Sequence, residues 1–354
     1  MDVSSLLDGL NDKQREAVGA PQSSMLVLAG AGSGKTRVLT HRIAWLMQVE
    51  QQSPYAILAV TFTNKAAKEM RERVEKVAGG NMSRMWIGTF HGLAHRLLRT
   101  HYKDANLPQS FQILDSDDQL RLIKRILKSL NLDEKQYPPR HAQGYINGKK
   151  DLGLRPSHID AGGFPIEQNL LKIYQVYQDS CDRAGLVDFA EILLRAHELW
   201  LNKPHILDHY QDRFKHILVD EFQDTNAIQY AWIRVLAGST ANVMIVGDDD
   251  QSIYGWRGAQ VENLHKFLGD FPSAQTIRLE QNYRSSANIL NASNELIANN
   301  PDRMGKKLWT DDKDGEPIGL YCAFNEMDEA RFIVGRISDW QDEGGKLEDC
   351  ANLY

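Results

Sequence analysis

An apolar run from Met25 to Leu28 leads into Ala29-Gly30-Ala31-Gly32-Ser33-Gly34-Lys35-Thr36, and from there into a helical pattern with Val38, Leu39, Ile43, Leu46 and Met47 on one face. A strand, a glycine-rich turn and a helix in that order form the opening unit of a layered α/β sheet. The chemistry of the turn follows from its residue types. Glycines let backbone N–H groups converge on an anion at a helix N-terminus, Lys35 adds positive charge toward β- and γ-phosphates, and the Thr36 hydroxyl can ligate Mg²⁺. Alanine stands at position 29, where the first glycine of the usual pattern falls, so Gly32 and Gly34 are left to bend the backbone.

The βα rhythm continues along the chain. Strands are expected at Met25–Leu28, Ala56–Thr61, Met85–Ile87, His216–Val219, Val243–Val246 and Thr276–Leu279. Several of them end in polar or glycine-containing loops, and in an open parallel sheet ligands sit outside the carboxyl ends of the strands. Between Phe90 and Lys215 the strand signal disappears, while Leu120, Ile123, Ile126, Leu127 and Leu130 recur at helical spacing. That pattern predicts a helical insertion. After Leu279 a helix around Ser286–Ala298 and a strand at Gly319–Phe324 are expected to open a second α/β domain, left incomplete at residue 354.

Composition narrows the class. Of 354 residues 42% are hydrophobic and 25% charged, the proportions of an ordinary globular protein. The longest apolar runs fall far short of the roughly 18 residues that cross a bilayer. The N-terminal stretch lacks the basic and apolar pattern of a secretory signal, and the three cysteines have no metal-ligand spacing, so the cytoplasm is the expected compartment. The net charge of −6 does not advertise a nucleic-acid partner, which leaves local features to carry any such reading.

Three local features do. The apolar run Ile217-Leu218-Val219 delivers Asp220 and Glu221 at its tip, a natural Mg²⁺ partner for Thr36 and a group able to orient and deprotonate a water. Residues 60–103 carry nine Lys/Arg, among them Lys65 and Arg84, against three acidic residues, with Phe62, Phe90 and His91 interleaved. Tyr254, Trp256 and Arg257 sit between glycines in a loop, a combination suited to stacking on the bases of a single strand. A blander reading stays open: Phe62 and Phe90 as core residues, and the basic side chains as a solvated helix face. Likewise Asn11-x-x-Gln14 reads locally as a helix capping box ahead of a base contact.

Read in order, LNDKQREAV at 10–18, AGAGSGKT at 29–36, VTFTNKAAKEM at 60–70, GTFHGLAHRLL at 88–98, LVDFAEILL at 186–194, ILVDEFQDT at 217–225, VGDDDQSIYGWRGA at 246–259 and LEQNYRS at 279–285 resemble superfamily 1 DNA helicases of the UvrD/Rep/PcrA family. The likeness covers essentially the whole chain. It implies a P-loop NTPase, RecA-like parallel-sheet motor domain at 1–89 and 215–280, with a helical insertion at 90–214. The opening of a second RecA-like domain would fill 281–354. It implies ATP and Mg²⁺, with Gln14 reading adenine, Tyr283 and Arg37 flanking base or ribose, and Gly32, Ser33, Gly34, Lys35 and Thr36 around the phosphates. Gln251 would sense the γ-phosphate and Arg284 would reach it from the second domain. Phe62, Lys65, His91, Phe189, Tyr254, Trp256 and Arg257 would contact single-stranded DNA.

The implied activity is ATP-dependent 3′–5′ DNA unwinding and single-strand translocation in nucleotide excision and mismatch repair. Single-strand/duplex junctions, DNA repair proteins and a second copy of the longer protein are the implied partners, in a bacterial, nucleoid-associated setting. Family members continue well past residue 354, so this N-terminal half is expected to bind nucleotide weakly and not to unwind. The competing expectations are an ATP- and DNA-binding fragment without unwinding, and a P-loop ATPase with another substrate.

Overall fold

The computed structural model describes residues 4–79, 82, 85–301 and 303–353. Arg84, counted above in the basic segment, lies outside them. Among the described residues eight strands form: β1 (Met25–Ala29), β2 (Ile57–Thr61), β3 (Trp86–Thr89), β4 (Gln112–Ile113), β5 (Leu186–Val187), β6 (His216–Val219), β7 (Asn242–Gly247) and β8 (Gln275–Leu279). Six of them build one sheet in the order β3-β2-β6-β7-β1-β8, with every pairing parallel. A parallel sheet is covered on both faces, so its strands read as near-continuous apolar runs. Every residue of β1, β2 and β6 is buried.

The two faces divide by the period-2 rule. Leu26 and Leu28 of β1 pack into a core with Phe90, Trp200 and Trp232. Met25, Val27 and Ala29 pack the opposite way, against Val38, Leu39 and Ile43 of helix Lys35–Gln48 and Met70 and Val74 of helix Asn64–Ala78. Since all six strands run the same way, the segments after β1, β2, β3, β6, β7 and β8 emerge at one edge of the sheet.

Residues 90–213 are mostly helical, and the helices Ser116–Ser129, Pro139–Asp151 and Pro165–Ala184 share a separate core around Ile123, Ile146, Tyr174 and Tyr177. Beneath it lies a buried ionic network. Lys150 Nζ is 2.6 Å from Asp188 Oδ2 and 3.0 Å from Glu191 Oε2, with no exposed surface of its own. Arg155 grips Glu191 at 2.8 and 2.9 Å, and Arg195 Nε reaches it at 2.7 Å. Burial alone would raise the Glu191 pKa, but Lys150, Arg155 and Arg195 hold it well below the usual carboxylate range. Asp188 also accepts from Tyr177 Oη at 2.7 Å and caps helix Phe189–Asn202 through Glu191 N at 2.8 Å, which fixes where Phe189 begins.

Removing one member of such a network strands the others in low dielectric. Lys150→Met is therefore expected to lower unfolding free energy by about 3–5 kcal/mol, measured by urea denaturation followed by circular dichroism. A loss under about 1 kcal/mol, the scale of an exposed pair, would show that Arg155 and Arg195 carry the charge balance alone.

Two expectations need correction. The region 90–214 is not strand-free, because β4 and β5 pair in parallel there. No strand forms at Gly319–Phe324; the segment is irregular, with Leu320 93% and Phe324 95% exposed. An apolar run makes a strand only beside a sheet edge that accepts its N–H and C=O groups, and among the described residues none lies alongside. The helix that follows, Glu326–Asp342, was not expected and has no buried residue. The helix expected around Ser286–Ala298 spans Ala287–Ile297.

Candidate nucleotide site and adjoining groove

The turn after β1 is shaped by two residues in the left-handed region, Gly32 (φ 68°) and Gly34 (φ 90°). Neither tolerates a side chain. A Cβ on Gly34 would stand 2.7 Å from Gln14 Nε2, and one on Gly32 would stand 2.7 Å from Arg284 Cβ. Gly34 precedes helix Lys35–Gln48 without a side-chain cap, so that N-terminus keeps backbone donors for an anion. Ser33 Oγ donates to Gly30 O at 2.7 Å and ties the turn to itself.

Gln14 does the capping its local sequence predicts and more. Its Oε1 accepts from Asn11 N at 3.1 Å, its N–H reaches Asn11 Oδ1 at 2.8 Å, and its Nε2 donates to Ser33 O at 2.8 Å. The carboxamide is buried and braces the phosphate turn from behind.

Asp220 and Glu221 follow β6. Asp220 is buried, and burial, then the Glu221 charge, push its pKa up to about 7, while Lys35 pulls the other way. A buried carboxylate so short of positive charge, with the partly buried Thr36 hydroxyl in the first turn of the phosphate helix, is a hard-oxygen donor set that fits Mg²⁺. Glu221 is one of few non-glycine residues with positive φ (48°), a conformation that costs about 1–3 kcal/mol and concentrates at functional sites. Its Oε2 lies 3.0 Å from Lys35 Nζ and accepts from Gln223 Nε2 at 2.9 Å.

Gln223 continues the path, because its Oε1 accepts from Asp248 N at 2.9 Å, and Asp248 Oδ2 accepts from Gln251 Nε2. Gln223 was not singled out from the sequence. Its signal was its place two residues after Glu221, on the same strand-end loop.

The segment after β8 lies across the phosphate turn. Tyr283 N donates to Gly32 O at 3.0 Å and Asn282 Nδ2 to Ala31 O at 2.6 Å. Asn11 Nδ2 donates to Tyr283 Oη at 2.7 Å, which links the tyrosine to the Gln14 cap. Arg284 and Arg37 are exposed, the latter beside Gly9, where a Cβ would stand 2.9 Å from its Nη2.

Next to this edge runs a groove between the helical region and the sheet. One cleft of about 350 Å³ is lined by Phe62, His91, Phe189, Asp151, Tyr254 and Arg257. It continues past His91 and Phe189 into a second of about 440 Å³, and past Asp151 and Arg257 into a third of about 370 Å³ bordered by Trp256. His91 meets Phe189 edge-on at 5.9 Å, and burial pushes its pKa down to about 4, so it is neutral at physiological pH. Arg257 lies over Tyr254 at 5.1 Å and Trp256 at 4.5 Å, and Trp256 is 75% exposed.

The blander reading holds for Phe90, which is buried, and in part for Phe62, which packs against the same core and meets Phe90 at 5.7 Å while also lining the cleft. The basic segment is also thinner than its count suggests. Arg71 donates to Ile87 O, Arg99 to Gln109 O and Phe111 O, and Lys68 and Arg73 pair with Glu72 and Glu69, while Lys65 stands exposed in the first turn of helix Asn64–Ala78.

Comparison with known proteins agrees with this arrangement. The family model described as UvrD/REP helicase N-terminal domain matches residues 10–272, and that described as UvrD-like helicase C-terminal domain matches 277–354. DNA helicase II of Escherichia coli (strain K12) is 73% identical over 354 residues, covering the whole chain and 49% of that protein. DNA helicase II of Haemophilus influenzae is 67% identical over 358 residues, again with 49% of its length. The ATP-dependent DNA helicase PcrA of Staphylococcus aureus (strain Mu50) is 43% identical over 353 residues and 48% of its length. The chain thus spans about half the length of the curated relatives it matches.

Proposed function

Because the chain belongs to the UvrD/REP helicase family, we propose that it carries the ATP site and part of the single-strand path of an ATP-dependent 3′–5′ DNA helicase. The observation that supports this best is the continuity of the loop after β7. Gln251 is joined to Glu221 through Asp248 and Gln223, and three residues further on Tyr254 lines the groove. In this reading a change in phosphate occupancy at one end is passed along these contacts to the loop at the other.

In this reading residues 1–89 and 215–280 are the first motor domain, 90–214 its insertion and 281–354 the opening of the second. The phosphate turn and Lys35 hold the β- and γ-phosphates. Thr36 and Asp220 would hold Mg²⁺, which would supply charge neutralisation. Glu221 takes a proton from the water that attacks the γ-phosphorus, ADP leaves, and Gln251 registers the loss. Arg284 reaches the γ-phosphate from beside Gly32, Tyr283 and Arg37 border the base or ribose, and Gln14 reads adenine from beside the turn it braces. Phe62, Lys65, His91, Phe189, Tyr254, Trp256 and Arg257 line or approach the strand. Junction DNA, DNA repair proteins and self-association of a longer chain belong to the same reading, as does a nucleoid-associated place in the bacterial cytoplasm. Among the described residues no helix is long and apolar enough to cross a membrane.

The test is binding of a labelled oligothymidylate at stated salt. Trp256→Ala is expected to weaken it by about 1–3 kcal/mol, the loss of one stacked base. Lys65→Ala should instead reduce the dependence of affinity on salt concentration. Unchanged affinity in Trp256→Ala would remove the aromatic loop from the strand path.

A further inference from the structure

The loop after β7 carries three successive carboxylates, Asp248, Asp249 and Asp250, with one oxygen of each within 4.8 Å of the others. Such a cluster invites a cation, and the protein supplies its own. Lys306 Nζ lies 2.5 Å from Asp248 Oδ1, 2.7 Å from Asp249 Oδ1 and 2.6 Å from Asp250 Oδ2, with its side chain 2% exposed. An ammonium has three N–H donors and no acceptor, so three carboxylates saturate it. Burial alone would lower its pKa, and the carboxylates outweigh burial and keep it charged.

Arg303 adds a two-pronged grip on Asp250 at 2.7 and 2.7 Å, and Met304 N donates to Asp249 Oδ2 at 2.7 Å. The segment 303–309 is tied at its other end to the residues after β8. Lys307 N donates to Glu280 Oε1 at 2.9 Å, Trp309 N to Glu280 O at 3.0 Å, and Asn282 N to Trp309 O at 2.7 Å. Leu308 lies so close over the phosphate turn that a Cβ on Gly30 would stand 2.2 Å from its Cδ2.

This strap joins the loop that carries Gln251 to the segment that carries Tyr283 and Arg284. The Asp248 carboxylate is shared, one oxygen with Lys306 and the other with Gln251. The geometry points to Lys306 as a positioning residue: through Asp248 it sets the Gln251 carboxamide at the head of the loop that runs on to Tyr254 in the groove, and through the strap it ties that loop to the segment carrying Tyr283 and Arg284. The inference rests on the function proposed above and adds to it the residue through which the two ligands communicate.

The experiment uses this chain and three ligand states: oligothymidylate alone, a non-hydrolysable ATP analogue with Mg²⁺ alone, and both together. In the wild type the analogue should change oligothymidylate affinity by about fivefold or more, the lower range of measured couplings. Lys306→Met should bring that ratio to within about twofold of one, with each ligand alone bound nearly as before. Lys306→Arg, which keeps a buried charge among the carboxylates, should restore part of the ratio. A purely structural lysine would instead weaken both ligands together and leave their ratio unchanged.

A folded Lys306→Met protein with the wild-type ratio overturns the proposal, as does a wild type that binds the two ligands independently. A wild type that binds neither ligand overturns the functional reading beneath it. If Lys306→Met does not fold, Arg303→Gln serves, since it loosens Asp250 from a more exposed position; a ratio unchanged in that protein also overturns the proposal.

Discussion

Lys35→Ala is expected to abolish ATP turnover, and Glu221→Gln to keep nucleotide while losing turnover. The two substitutions touch the same ion pair, 3.0 Å long, from opposite sides. Removing Lys35 takes away the charge aimed at the β/γ-phosphates, where a single preorganised donor is worth about 10²–10³ in rate. It also removes a cation that holds down the Asp220 pKa, so the Mg²⁺ ligand is weakened in the same stroke. Glu221→Gln leaves Lys35 and the turn in place and removes only the proton acceptor, a loss of about 10²–10⁴. Equilibrium binding of a fluorescent nucleotide and steady-state phosphate release separate the two outcomes. Near-normal turnover in Glu221→Gln would assign the base elsewhere. Asp248 and Asp249 are poor alternatives because Lys306 holds both carboxylates. Asp224, raised to about 6 by burial and then by Glu221, would be next in line.

The sheet was legible in the sequence because burial on both faces writes a central parallel strand such as β1, β2 or β6 as an apolar run, while the edge strand β8 alternates with Ile277 and Leu279 buried. Each of the six strands expected up to Leu279 forms within two residues of its predicted ends. The pair β4–β5 was not legible, since two residues have no period to detect and their register depends on backbone bonds such as Gln112 N to Gly185 O. At Gly319–Phe324 the pattern was present and the neighbouring edge was not. Much of the nucleotide side could be read from residue types at strand ends, where chemistry and position coincide. Lys306 could not, because its contacts lie more than fifty positions away along the chain and nothing near it in sequence distinguishes it from a solvated lysine. For the basic segment the residue types supply the charges and leave their engagements unseen. A count of charges does not reveal which arginines are occupied by backbone carbonyls and neighbouring rings.

Arg284→Ala is expected to lower turnover by about 10³ or more, in the range found when a transition-state arginine is lost, with nucleotide affinity changed far less. The side chain is exposed, while its backbone is fixed by Arg284 N to Asn282 Oδ1 at 2.8 Å and by the close approach to Gly32. From a backbone so close to Gly32 the guanidinium can reach over the phosphate turn. Its charge is needed most as the γ-phosphoryl group separates, and that is why binding should survive its removal. Arg284→Lys should recover little, because an ammonium offers a point charge where the planar fork can grip two oxygens. The measurement is single-turnover hydrolysis in a chain extended through the whole C-terminal domain, beside nucleotide titration of the same protein. A fall in affinity equal to the fall in rate would make Arg284 a binding residue and would move transition-state stabilisation to Lys35 and the metal alone.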